Sequence, residues 1–231
     1  VSNTAQRKQQ LRHYFDGVGF ERWTAIYGEQ AKLSRVRQSI RDGHQAMLRT
    51  ADAWLMQRFG PSAAGRRALD AGCGTGLFTQ TLARREFYVT AVDIAPQMVL
   101  ATRRRLQQAG LQEQADLLVA DLEQVGGNYD LVLSFDVLIH YPHESFAPLC
   151  RHLARLCHDT LLITYAPYHP LLAAMHRVGG YFPRSDRRTE IQMIPDSFVD
   201  ATLAEAGMQV CRRQAISVGF YHVQLLEASK E

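Results

Sequence analysis

The chain has 231 residues, 46% apolar and 21% charged, which excludes a disordered protein and suits one medium-sized domain with a small cap. Its 26 Lys+Arg against 23 Asp+Glu leave a net charge of +3, too small a basic excess for a dedicated nucleic-acid binder. No apolar run approaches the roughly 18–20 residues that span a bilayer. The four cysteines (Cys73, Cys150, Cys157, Cys211) form no C-x-x-C pair, so a reduced cytoplasmic setting without structural zinc is expected.

The start, Val1 to Arg12, is polar and lacks the apolar core of a secretory signal. The first sixty residues read as helix: a piece near Thr4 to Phe15, then Gly17 and Gly19 as breakers. A longer amphipathic helix follows, with apolar residues at Leu33, Val36, Ile40, Met47, Ala51, Trp54 and Leu55. Ser34 or a neighbour caps it, and Gly60-Pro61 ends it.

After Pro61 short apolar runs alternate with amphipathic stretches. Strands are expected at Ala68–Ala71, Tyr88–Val92, Asp116–Ala120, Asp130–Ser134 and Thr160–Tyr165. Helices are expected at Leu77–Arg85, Pro96–Gln108 and Glu144–Cys157. This is the pattern of βαβ units and a parallel sheet. Ala166 to Pro195 holds four prolines and a basic cluster and reads as an insertion. Asp196–Ala206 is a helix, and Met208–Ile216 and Phe220–Ala228 are two closing, mutually antiparallel strands.

The strand at Ala68 empties into Gly72-Cys73-Gly74-Thr75-Gly76 and then a helix. Glycines let the backbone approach a ligand, and the helix start offers free N–H donors. Leu77 stands where the dinucleotide fingerprint needs its third glycine, and no Gly-Lys-Ser/Thr follows, so neither a dehydrogenase loop nor a P-loop fits. Asp70-x-Gly72-x-Gly74-x-Gly76 instead resembles the first motif of the class I S-adenosylmethionine-dependent methyltransferases. Asp93 and Asp121 end the next two strands. The resemblance implies an α/β, Rossmann-like fold with a seven-stranded, mostly parallel sheet whose last strand is antiparallel. It adds an N-terminal helical cap or lid (1–60) to a core (61–231), with residues 166–194 inserted after the fifth strand. It implies that S-adenosylmethionine is bound and S-adenosylhomocysteine released. Asp70 would face the methionyl ammonium, Asp93 the ribose hydroxyls and Asp121 the adenine amino group, alongside Gly72, Cys73, Gly74, Gly76, Ile94, Leu122 and Phe135.

Charge is divided unevenly. Residues 1–60 carry ten basic against five acidic groups, and 166–194 four against two, whereas the rest is net acidic. Twenty-three of the 26 basic residues are arginines, a bias that genome composition explains and that also suits carboxylate recognition. Tyr14, Phe15, Phe20, Trp23 and Tyr27 crowd one short stretch. Rings and guanidinium groups together suit a flat apolar ligand with acidic edges, such as a tetrapyrrole bearing propionates.

Tyr14-Phe15, Gly19-Phe20-Glu21-Arg22-Trp23, Ile26-Tyr27-Gly28, Arg41-x-Gly43-His44 and the run Phe135 to Pro142 resemble the magnesium protoporphyrin IX methyltransferases. The resemblance implies methyl esterification of one propionate of magnesium protoporphyrin IX, an early step of (bacterio)chlorophyll synthesis, with Tyr27 and His140 as catalytic residues. Phe20, Arg22, Trp23, Arg41, Tyr141 and Arg184 are the expected substrate contacts. No protein-bound metal is expected, since the magnesium belongs to the substrate; His44 and His13 stay open as axial ligands to it. The porphyrin-binding subunit of magnesium chelatase is a candidate partner, and a place beside the photosynthetic membrane is an alternative to the free cytoplasm. Two rivals remain: another small-molecule O- or N-methyltransferase, and a non-catalytic tetrapyrrole carrier on the same scaffold.

Overall fold

The computed structural model describes residues 3–27, 33–168 and 191–230. In chain order the elements are α1 (Asn3–Asp16), α2 (Val18–Tyr27), α3 (Arg35–Phe59), β1 (Arg67–Ala71), α4 (Leu77–Arg84), β2 (Tyr88–Asp93) and α5 (Pro96–Gln108). There follow β3 (Ala115–Val119), β4 (Tyr129–Ser134), α6 (His143–Leu156), β5 (Cys157–Pro167), β6 (Met193–Ile194), α7 (Asp196–Glu205), β7 (Met208–Val218) and β8 (Tyr221–Lys230). The sheet runs β3-β2-β1-β4-β5-β8-β7, with the two-residue β6 beside β5. Along this path β8 alone runs against its neighbours, because it pairs antiparallel with both β5 and β7.

Helices cover both faces of the sheet, and the alternation of side chains along each strand divides the core in two. Val132 faces one layer with Leu69, Leu161 and Ile163, where α6 lays down Phe146, Leu149 and Leu153 and α7 adds Val199 and Leu203. Leu131 and Leu133 face the other layer, with Met47, Ala51, Trp54 and Leu55 of α3 and Phe78 and Leu82 of α4. The second half of α3 is therefore core rather than cap. It is capped by Ser34 and closed by Gly60, whose N–H donates to the Met56 carbonyl.

Two expectations need correction. Gly19 does not break the helix; it is buried inside α2, where a Cβ would lie 2.7 Å from Tyr14 Cε1. Its missing side chain lets α2 fold back closely on α1, and only Gly17 turns the chain. The insertion also begins later than expected, since Ala166 and Pro167 continue β5 and pair in parallel with Met193 and Ile194. The two-residue β6 thus makes an eighth strand beyond the seven expected. Between these ends, residues 169–190 lie outside the described residues, and Arg184 with them.

Candidate active site

Strand order reverses between β1 and β4, and in open α/β sheets such a switch point opens a crevice at the carboxyl ends of the strands. The glycine loop sits there. Gly72 and Cys73 N–H both donate to the Val92 carbonyl, at 2.8 and 2.9 Å, and Thr102 Oγ1 donates to the Gly74 carbonyl at 2.9 Å. Gly72 has φ +91°, and a Cβ on it would lie 2.1 Å from Val137 Cγ2. No other residue type fits that position. Gly76, at φ +76°, begins α4 against Thr102.

The carboxylates at the strand ends are held by this framework. Asp93 accepts from Gly74 N–H at 3.0 Å and Ala95 N–H at 2.9 Å. Burial nevertheless pushes it up to about 6, against the pull of those donors. Asp70 accepts from Thr79 Oγ1 at 2.5 Å. Burial raises it to about 7, with the Asp93 charge adding and Thr79 opposing. Arg105 Nε donates to the Thr75 carbonyl of the loop at 2.8 Å, but neither buried carboxylate is hydrogen-bonded to a cation among the described residues, and the pair favours a cationic ligand, as S-adenosylmethionine is. Asp70, Gly72, Cys73, Gly74, Asp93, Ile94, Leu122 and Phe135 all line one cavity here. Asp121, at the end of β3, is already engaged by Lys8 Nζ at 2.8 Å.

The same cavity continues under a roof made by α1, α2 and the start of α3, which contributes Phe15, Arg22, Trp23, Ile26, Tyr27 and His44. Trp23 and Tyr27 stack with centroids 6.0 Å apart and planes 6° from parallel. The Tyr27 hydroxyl is hydrogen-bonded to His44 Nδ1. Burial and the Asp136 charge raise Tyr27 far above the ordinary phenol range, while Arg41 and Arg105 oppose them. Tyr27 is therefore a neutral phenol at neutral pH. His140 ends a short turn after β4, is 7% exposed, and carries Phe15 5.5 Å from its ring. Its carbonyl accepts from Arg7 Nε at 2.9 Å.

The remaining expected contacts divide. Arg22 and Trp23 line the roofed chamber. Phe20 is half-buried on α2 and Arg41 bonds Gln38 Oε1 at 2.8 Å; neither lines the cavity. Tyr141 lines the cavity on the cofactor side, where burial and the charges of Asp121, Glu123 and Asp93 raise its phenol. Ile191, at the returning end of the insertion, borders the chamber, and Gln192 N–H donates to the Ile139 carbonyl at 2.7 Å. Sequence reasoning missed Lys8, Thr79, Asp136 and Tyr221 as site residues. Among the described residues no group of three or more His, Cys, Asp or Glu could hold a metal ion.

Residues 134–230 match the family described as magnesium-protoporphyrin IX methyltransferase C-terminus, and 68–160 match a general methyltransferase domain. The chain is 34% identical over 222 residues to the chloroplastic magnesium protoporphyrin IX methyltransferase of Arabidopsis thaliana, covering 96% of this chain and 70% of that one. It is 33% identical over 219 residues to the magnesium-protoporphyrin O-methyltransferase of Synechocystis, covering 94% of each. Its fold superposes on the crystal structure of magnesium protoporphyrin IX methyltransferase from Synechocystis PCC 6803 with bound SAH with a TM-score of 0.87 at 33% identity, over 97% of this chain and 100% of that one.

Proposed function

The chain belongs to the magnesium protoporphyrin IX methyltransferase family, and from that membership we infer that it methylates a propionate carboxylate of magnesium protoporphyrin IX. The observation that carries the assignment is one continuous cavity. It joins the glycine loop and the buried acids to a ring-lined chamber holding Tyr27, Arg22 and His140.

When bound, S-adenosylmethionine supplies an electrophilic sulfonium methyl group to the nucleophilic carboxylate oxygen and leaves as S-adenosylhomocysteine. Asp70, Asp93 and the loop Gly72–Gly76 would hold it, with Ile94, Leu122 and Phe135 against its apolar parts. Asp121 faces Lys8 as well, and its carboxylate retains lone pairs for the adenine amino group. The metal ion of the reaction belongs to the porphyrin.

The protein's task is to align a nucleophile with the methyl group. A free propionate has a pKa near 4–4.5 and is already an anion at neutral pH. In a chamber walled by Trp23, Ile26 and Phe15, burial favours its acid form, so proton management matters. Tyr27 is a neutral hydroxyl that positions one carboxyl oxygen. His140, buried at the mouth of the switch point, orients the anion or takes a residual proton. Arg22 supplies the cationic edge for a propionate. α1, α2 and the first half of α3 act as the cap through which the flat ligand enters.

Two finer points belong to the same proposal. The porphyrin-binding subunit of magnesium chelatase delivers the substrate to the basic cap, and this happens in the cytoplasm or at the surface of the photosynthetic membrane. Among the described residues no helix is long and apolar enough to cross a membrane.

The test is a methyl-transfer assay with magnesium protoporphyrin IX, with the metal-free porphyrin and an unrelated catechol as controls. Ester formation on the magnesium porphyrin is expected. Turnover of the catechol with none of the porphyrin would assign a different substrate. Tight porphyrin binding without turnover or cofactor binding would mark a carrier.

A further inference from the structure

Behind Tyr27 lies a chain of polar groups that its role as a positioning hydroxyl does not require. His44 Nδ1 meets the Tyr27 hydroxyl, and His44 Nε2 lies 3.9 Å from Asp136 Oδ2. Asp136 is in turn surrounded by hydroxyl donors. Tyr221 donates to its two oxygens at 3.0 and 2.9 Å, and Thr164 Oγ1 donates to Oδ1 at 3.2 Å while accepting from Asp136 N–H at 2.7 Å. Asp136 holds this place with a left-handed backbone, φ +56°, which few residues other than glycine, asparagine and aspartate adopt.

Burial raises Asp136 above the ordinary carboxylate value, while the facing His44 and the hydrogen bonds from Tyr221 and Thr164 oppose it and favour the anion. The anion favours the His44 tautomer with hydrogen on Nε2, and Nδ1 is then left as an acceptor for Tyr27. Gly43 makes the approach possible. A Cβ there would lie 2.6 Å from Tyr221 Cβ, so only glycine lets α3 bring His44 down over Asp136.

We propose that His44, oriented by Asp136, withdraws the acid proton of the substrate's propionate through the Tyr27 hydroxyl. This rests on the function inferred above. The O–H bond of the propionic acid breaks and its proton passes to the Tyr27 oxygen, while the Tyr27 proton passes to His44 Nδ1. The propionate is left as the anion that methyl transfer needs. The resulting imidazolium faces Asp136, and the proton leaves to water with the product. No oxidant, reductant or further reactant takes part. His44 and Asp136 act through Tyr27 and are relay and positioning residues. Burial holds His44 below its ordinary pKa, with Asp136 opposing, so the resting imidazole is the neutral form that accepts a proton. The groups that face it are Tyr27 on α2, Asp136 after β4 and Tyr221 on β8, while Arg41 and Arg105 act on the Tyr27 phenol.

His44→Gln separates relay from packing, because a glutamine carbonyl still accepts the Tyr27 hydrogen bond but takes no proton. Asp136→Asn keeps a residue that tolerates the left-handed backbone, removes the charge behind His44, and carries the same test if His44→Gln does not fold. For each, kcat and KM would be followed from about pH 6 to 9, with Kd for magnesium protoporphyrin and for S-adenosylhomocysteine measured by titration. Both Kd values are expected within twofold of wild type. Near pH 7, kcat is expected to fall about tenfold to a hundredfold. It should then climb toward wild type as pH rises, because a propionate that ionises by itself no longer needs the relay. A kcat deficit that is the same at every pH, an unchanged kcat, or a loss confined to KM and Kd would overturn the relay. Wild-type protein inactive on magnesium protoporphyrin would overturn the function and the relay together; active wild type with pH-parallel variants overturns the relay alone.

Discussion

Lys8 Nζ lies 2.8 Å from Asp121 Oδ2 and 2.8 Å from Glu123 Oε2, tying the first helix to the end of β3. Burial works against the ammonium, but the two hydrogen-bonded carboxylates outweigh it and hold its pKa above the ordinary value. With Arg7 on the His140 carbonyl, and Asp16 accepting from Gln97 N–H at 3.0 Å, α1 is latched across the cofactor side of the cavity at three points. Lys8→Ala should loosen this latch without unfolding the core. The pair is partly buried, so about 1 kcal/mol is at stake. Hydrogen exchange over residues 3–16 should speed up about fivefold while exchange in β1 and β4 is unchanged.

The buried acids give ligand binding a pH dependence with a definite sign. Asp93 is pushed up to about 6 and Asp70 to about 7, so both gain protons as pH falls through that range. A sulfonium cation binds the ionised forms better. The Kd for S-adenosylmethionine, from calorimetry, should therefore weaken between about pH 7 and 5. Asp93→Asn should weaken binding at pH 8 and flatten that dependence.

Stability carries the opposite sign at Asp70. Its folded pKa lies above the unfolded value, so its contribution is fully present below the ordinary carboxylate pKa and is lost as pH rises through about 7. Asp70→Asn removes the charge that must be buried at high pH. Thermal melts of the two proteins should differ more in favour of the variant at pH 8 than at pH 5, even as cofactor affinity falls. A pH-independent difference would count against a buried, titrating Asp70.

Gly72→Ala meets both a left-handed backbone and the Val137 methyl. Overpacking and backbone strain together should cost about 2–4 kcal/mol. The double variant with Val137→Ala should recover the packing part alone, as read by denaturant unfolding.

Tyr27→Phe keeps the stack on Trp23 and loses the hydroxyl; His140→Asn keeps a polar group and loses the basic nitrogen. Each is expected to lower kcat about tenfold to a hundredfold with little change in cofactor Kd. Near-wild-type turnover in both would remove them from the chemistry.

Much of this protein is legible without a structure because its signals are local. Strand and helix periodicity depends on neighbours a few residues apart, and so does the capping of α3 between Ser34 and Gly60. The glycine loop is equally local, since Asp70, Gly72, Gly74 and Gly76 stand at fixed spacing on one strand and turn. The family motifs, read along the chain, point to Tyr27 and His140 as candidate catalytic residues and bring His44, an open axial ligand to the substrate's magnesium, and Asp136 into view.

Their packing was decided only by tertiary structure. His44 stands in the sequence as an open axial ligand, and packing buries it between Tyr27 and Asp136, residues 17 and 92 positions away along the chain. Gly19 reads as a breaker until Tyr14 is seen filling the space its side chain would need. Lys8 draws no assignment from the sequence, and only the packing of α1 brings it to Asp121. In each case the sequence supplies the residue, but burial and distance set its partner and, for His44 and Lys8, its protonation. Those two quantities exist only once distant segments of the chain are packed together.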